Sequence, residues 1–206
     1  MEALTKILVT ARDQFRKYGF KTVTMDDVAR AAGISKKTLY QHFETKADVV
    51  KAAMLHHHEN MICDCRLRMD ESENAIEAMV RIMAQMDTEF RQINPMAILE
   101  LRRFFPEAFR LFSDKLMAEN ADILRQNITN GIREGYYRED LNPELLAMYR
   151  IETSLAVFHP DSSLTAKYSP YDANHQIAEH FLYGLLTPKG EKLYIRYKEK
   201  YLQPTK

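Results

Sequence analysis

The residues of this chain best placed to do chemistry lie in one run, Lys36-Lys37-Thr38-Leu39-Tyr40-Gln41-His42-Phe43. Ile34, Leu39 and Phe43 fall at spacings that put them on one buried side, which leaves Lys36, Lys37, Thr38, Tyr40, Gln41 and His42 on the open face of a short helix. That face offers cations, hydroxyls, an amide and an aromatic ring. Lysine and glutamine can read guanine and adenine edges, and a threonine methyl suits thymine. A short helix dressed this way fits the major groove of DNA. Two lysines in the first turn also sit at the unfavourable end of the helix dipole, a placement that a docked polyanion would reverse.

The elements that must hold this helix precede it. Thr24 is a good N-cap for a helix over Met25-Asp26-Asp27-Val28-Ala29, with Asp27 three residues on completing a capping-box-like pair. Asp26 and Asp27 favour the positive end of that helix. Ala29 is small enough to let a second helix approach closely. Gly33 supplies the turn, because only glycine takes a left-handed conformation at no steric cost, and Ser35 caps the next helix. The alternative, a solvated face on a helical bundle, is disfavoured because turn, caps and buried positions all agree.

From about Ile7 to Met54 the chain resembles the DNA-binding domain of the TetR family of bacterial transcriptional regulators. The resembling features are an amphipathic first helix ending in Lys17-Tyr18-Gly19-Phe20, the stretch Thr22-Val23-Thr24-Met25-Asp26-Asp27-Val28-Ala29, Ala32-Gly33-Ile34-Ser35, and Thr38-Leu39-Tyr40-Gln41-His42-Phe43 followed by Thr45-Lys46. The resemblance implies that Lys36, Lys37, Thr38, Gln41 and His42 touch bases or nearby phosphates. It implies that Tyr40 and Lys46 hold the phosphate backbone, and that Thr24 caps a helix whose N-terminus can face a phosphate. It further implies a homodimer on a palindromic operator in double-stranded DNA. Such dimers pair their last-but-one helices, here through Ile177, Phe181, Leu182 and Leu185, with an internal core as the alternative.

Composition sets the outer bounds. The 206 residues are 46% hydrophobic and 28% charged, ordinary values for a folded chain with a real core. Formal net charge is zero, but residues 1–50 carry nine Lys/Arg against six Asp/Glu, so a mildly basic module precedes a slightly acidic body. No apolar run is long enough to span a membrane, and the N-terminus lacks the layout of a signal peptide. The expectation is a cytoplasmic protein with no membrane partner and, with two cysteines, no disulfide framework.

Periodicity predicts an all-α fold of about nine or ten helices, with no stretch alternating long enough to be a strand. The resemblance implies a DNA-binding domain over 1–47 followed by a ligand-binding and dimerisation body over 48–206. Thr45 caps a fourth helix running to the charged Arg66–Glu73 stretch. Ile76, Met79, Val80, Met83, Met86 and Phe90 form the next apolar stripe, broken at Asn94-Pro95. Pro106 starts a long helix, with Gly131 and Gly135 weakening its end. A helix over about Glu144 to Phe158 precedes a loop-like stretch from His159-Pro160 to Ser169-Pro170, then helices over about Ala173 to Leu186 and Glu191 to Leu202.

The body offers weaker signals. The family resemblance implies a small-molecule pocket there for an apolar or amphipathic ligand, and Met83, Met86, Phe90, Phe105, Phe109 and Tyr149 are candidate lining residues, with plain core as the alternative for each. Glu100 and Arg103 read as a structural ion pair or surface residues. His56-His57-His58 with Cys63 and Cys65 suggests a metal sensor, but residues i and i+2 on a helix point about 200° apart, so no metal site is expected from them. A redox-sensing thiol stays open. There is no nucleophile elbow, phosphate-cradling glycine loop or His-Glu-x-x-His pattern, so neither catalytic residues nor a cofactor are expected. The sequence is read as a repressor released by a small ligand. The alternatives are a DNA-bound interaction protein of nucleoid-associated type and a metal- or redox-responsive regulator.

Overall fold

A computed structural model describes residues 3–157, 159 and 163–202 of the chain. Among its described residues the regular secondary structure is helical, with one isolated backbone bridge, Tyr137 to Leu186, and no strand. In chain order the helices are α1 (Ala3–Tyr18), α2 (Met25–Ala32), α3 (Lys36–His42), α4 (Lys46–Glu71), α5 (Ala75–Arg91), α6 (Pro95–Phe104), α7 (Pro106–Lys115), α8 (Ala121–Arg133), α9 (Pro143–Ala156), α10 (Ser163–Lys167), α11 (Pro170–Leu185) and α12 (Pro188–Tyr201). A π-helical turn, Leu116–Asn120, joins α7 to α8, so the long helix expected from Pro106 is continuous but locally underwound. The expected loop before α11 contains α10. Its residues 160–162, like the expected helix end at Phe158, lie outside the described residues.

The chain forms two compact units, one of residues 1–61 with 92–115 and one of residues 62–91 with 116–206. Each has its own apolar core. The first unit is larger than a 1–47 module, because Val49, Val50, Ala53 and Met54 of α4 and Ala97, Leu101 and Ala108 of α6 and α7 are buried with Ile7, Phe15, Val28 and Leu39. Two hydrogen bonds strap α6 and its N-cap to the end of α1 and the turn that follows it. Asn94 N–H donates to the Arg16 carbonyl at 2.9 Å, and Lys21 N–H donates to Glu100 Oε2 at 2.9 Å. Glu100 therefore serves as an acceptor for a backbone amide, while Arg103 lays its guanidinium 5.5 Å from the centre of the exposed Phe104 ring. Gly19, at φ 90°, ends α1 where a side chain would meet the Glu100 carboxylate.

The histidine run lies in this first unit. His57 stacks on Phe112 with ring centres 6.5 Å apart, and the edge of buried His58 meets the same ring at 6.0 Å. Burial, with the Arg16 and Arg12 charges second, holds the His57 imidazole neutral down to about pH 3.

In the second unit, α5 packs on α8, α11 and α12, and α9 packs on α8 and α11. Tyr137 is buried at its centre, donating its hydroxyl to Asn127 Oδ1 at 3.1 Å. Gly131 makes room for it: a Cβ there would lie 2.7 Å from Tyr137 Cγ and closer still to the ring edge. The glycine read as weakening α8 is thus a packing requirement.

Gly131→Ala sets a propensity gain of about 1 kcal/mol against an overpacking cost of about 1–3 kcal/mol, and the cost prevails because a buried ring cannot retreat. We expect a lower unfolding midpoint in urea. Lowering pH should also destabilise the protein, because the unfolded chain takes up a proton at His57 near pH 6.5 and the folded chain only near pH 3. Between those values stability falls as pH falls, and His57→Gln should flatten the slope of Tm against pH by about one proton.

Candidate nucleic-acid interface

The underside of α3 is settled by burial. Leu39 is wholly buried, and Ile34 and Phe43 pack partly buried against the same core. Both helices of the motif are capped as their sequence requires. Thr24 Oγ1 accepts the Asp27 N–H at 3.2 Å while Asp27 Oδ2 accepts the Thr24 N–H at 3.0 Å, a reciprocal capping box. These bonds from Thr24 hold the Asp27 carboxyl below the usual carboxylate range. Gly33 takes the left-handed conformation at φ 67°, with its N–H on the Arg30 carbonyl and the Ile34 N–H on the Ala29 carbonyl at 3.0 Å. Ser35 Oγ then accepts the Thr38 N–H at 3.0 Å and starts α3.

The upper face is where the sequence placed it, but its residues are not equally free. Lys37, Tyr40, Gln41 and His42 are exposed on α3. Lys37 and Gln41 have no ion pair or side-chain hydrogen bond among the described residues. Lys36 is committed in part: its Nζ pairs with Asp26 Oδ1 at 2.8 Å, and that bond raises its pKa. The Asp26 carboxylate so neutralises one of the two misplaced first-turn cations. Thr38 shares its hydroxyl with Ser35 at 2.8 Å, leaving its methyl as the part that can meet a base.

Lys46 departs furthest from a simple phosphate contact. Half-buried, it donates from Nζ to the Lys21 carbonyl at 3.2 Å and lies 5.7 Å from the Phe105 ring centre; burial lowers its pKa. It therefore ties the start of α4 to the turn between α1 and α2. Thr45 and Asp48 form a second capping box at that start, which presents the α4 N-terminus near the same turn.

The body residues chosen from sequence do not converge. Phe105 and Phe109 pack against the core of the first unit, whereas Met83 is buried in the core of the second, with Met86 and Phe90 half-buried on the same helix. Tyr149 is about half exposed at 51%, its ring 6.4 Å from that of Phe181. No single lining within either unit contains all six. The dimer set also needs correction. Phe181, Leu182 and Leu185 are buried in their own protomer's core, so they cannot also form the outward face of α11, and Ile177 is half-buried. The apolar stripe read from sequence was the inner face. The outward side carries Gln176, His180, Tyr183 and Gly184, beside Leu145 and Met148 exposed on α9.

Among the described residues no group of three His, Cys, Asp or Glu side chains could hold a metal ion. Cys63 is exposed, and burial pushes the Cys65 thiol up to about 11, an unreactive value. No helix among the described residues is long and apolar enough to cross a membrane.

The motif geometry agrees with comparisons across known proteins. Residues 7–53 match the model for bacterial regulatory proteins of the tetR family. The HTH-type transcriptional repressor KstR2 of Mycobacterium tuberculosis is 24% identical over 79% of this chain and 84% of its own length. In fold, a transcriptional regulator from Cytophaga hutchinsonii superimposes with a TM-score of 0.68 at 20% identity, covering 89% of this chain and 98% of the other. The regulator FadR from Bacillus subtilis, solved in complex with stearoyl-CoA, does so at 0.61 and 18% identity, covering 88% and 99%. The capped helix–turn–helix lies inside the segment that matches the tetR family of bacterial regulatory proteins, and the chain shares its fold with such regulators over most of its length.

Proposed function

We propose that this protein is a homodimeric transcriptional repressor that binds a palindromic operator and is released by a small apolar or amphipathic ligand held in its body. The observation that carries the reading is the free upper face of α3, where Lys37, Tyr40, Gln41 and His42 stand exposed on a helix fixed from below by buried Leu39. Residues 1–47 supply the DNA contacts, and residues 48–206 supply dimerisation and ligand binding. Related regulators named as repressors, and a solved neighbour holding stearoyl-CoA, support the ligand-responsive part of the reading. Its place of action is the cytoplasm, where the DNA is.

Two-fold symmetry matches a palindrome, since each protomer then offers one α3 to one half-site about 34–36 Å from the next. The outward side of α9 and α11 suits that contact. Leu145, Met148, Tyr149 and Tyr183 leave 63%, 44%, 51% and 42% of their surfaces exposed, an apolar concentration that a second copy would cover. Gly184 adds a small position there, with open space where its side chain would be, so a partner helix can come close. Ligand occupancy of the body then changes the distance between the two reading helices, and a coupling of about 1–3 kcal/mol suffices for a five- to 150-fold change in operator affinity.

Fluorescence-anisotropy titration against DNA flanking the protein's own gene tests the reading, with salt and scrambled DNA as variables. Gln41→Ala or Lys37→Ala should shift base preference at one position by about 1–3 kcal/mol. Lys46→Met should weaken binding to every sequence alike and flatten the salt dependence, with a modest fall in Tm from the lost Lys21 bond. Equal losses on all sequences for all three variants would refute the division of roles. For the dimer, Leu145→Glu with Tyr183→Glu should shift sedimentation toward monomer while leaving the helical circular dichroism unchanged; an unmoved sedimentation coefficient would place the contact elsewhere.

A further inference from the structure

Several charged groups of the second unit are matched by opposite charges. Asp87 meets His175 at 2.7 Å, Glu179 pairs with Lys198, and Glu77, only 6% exposed in its side chain, has Lys200 at 3.7 Å. Arg150 of α9 differs. Half-buried, it lies on the same helix face as Ala147, which is 1% exposed one turn earlier, and Leu146, which packs on the apolar core. Its Nη1 donates to Ser154 Oγ and its Nη2 to Asn174 Oδ1 at 3.1 Å, both neutral acceptors, and Asn174 is itself 3% exposed. Among the described residues no carboxylate pairs with it.

A guanidinium has five N–H donors in a fixed fork, and neutral oxygens here take two of them. Taking such a cation out of water without an opposite charge is costly, and burial accordingly lowers its pKa to about 10, which leaves it charged at neutral pH. The remaining donors suit a planar oxyanion taken bidentately. Ser154 and Asn174 hold the fork at one edge and so set its plane.

We propose that Arg150, oriented by Ser154 and Asn174, binds the oxyanion end of the ligand, which is therefore a carboxylate or phosphate carried on an apolar chain. The inference rests on the reading of the second unit as a ligand-binding body and narrows its ligand class from apolar or amphipathic to anionic. Arg150 had no signal in the sequence beyond a cation one turn after a small apolar residue.

Binding to the full-length protein, read by isothermal calorimetry and thermal shift without DNA, tests this independently of operator binding. The probes are dodecanoate, dodecyl phosphate and dodecanol, each below its micellar concentration. The wild type should bind at least one of the two anions about ten-fold or more tighter than the alcohol, and the two anionic arms identify the preferred head group. Arg150→Met should lose that discrimination, and Arg150→Lys should keep part of it as a point charge without the fork. The ligand-free Arg150→Met protein should also unfold at a higher temperature than wild type, because it no longer buries an unmatched cation. Equal affinity for anions and alcohol, no binding of any of the three, or discrimination that survives in Arg150→Met would overturn the proposal.

Discussion

The burial of Leu39 under a seven-residue helix is the constraint on which the reading face depends. Two turns of helix in water do not hold, because nucleation costs more than so few backbone bonds return. Helix α3 exists because its underside is shared with the core of the first unit and its start is closed by Ser35. On its exposed side Lys37 and Gln41 then have no structural duty, which is why they can be chosen for what they bind. The same logic explains the tight turn at Gly33: a left-handed residue there brings two helices together within a few residues, so Ala29 and Leu39 can enter one core.

Electrostatics divides the basic residues that a sequence list treats alike. Lys36 spends part of its charge on Asp26, and Lys46 spends a hydrogen bond on the Lys21 carbonyl. Lys37 has neither duty. A cation already bonded inside the protein must break or share that bond to meet phosphate, so its net contribution to binding is smaller than a bare count of lysines implies. In the second unit the opposite situation holds at Arg150, which among the described residues bonds to neutral oxygens and to no carboxylate.

Segment 92–115 shows how the first unit reaches beyond its contiguous helices. Asn94 and Glu100 grip the backbone on either side of Gly19, and Leu101 and Ala108 fill the core that α1, α2 and α4 begin. A charged residue in an apolar run, as Glu100 is, carries no local sign that its partner is an amide 79 residues away. Tyr137 and Gly131 teach the same lesson, since a helical glycine reads as weakness until the ring above it is seen.

What the sequence by itself determined is the local part: the all-α class, most helix limits and the whole helix–turn–helix, because caps, a left-handed glycine and apolar spacing act over three to five residues. Even the identities on the α3 upper face followed from periodicity alone. Tertiary structure decided which apolar stripe faces inward and which outward. Phe181, Leu182 and Leu185 read from sequence as a dimer seam with an internal core as the alternative, and contact with α5 and its neighbours buries them in a core. It also decided that Met83 and Phe105 belong to different cores, and that Arg150 rests half-buried on the neutral oxygens of Ser154 and Asn174. Periodicity tells that a face is apolar; only the packing of distant helices tells what covers it, because burial is non-directional and any complementary surface will serve.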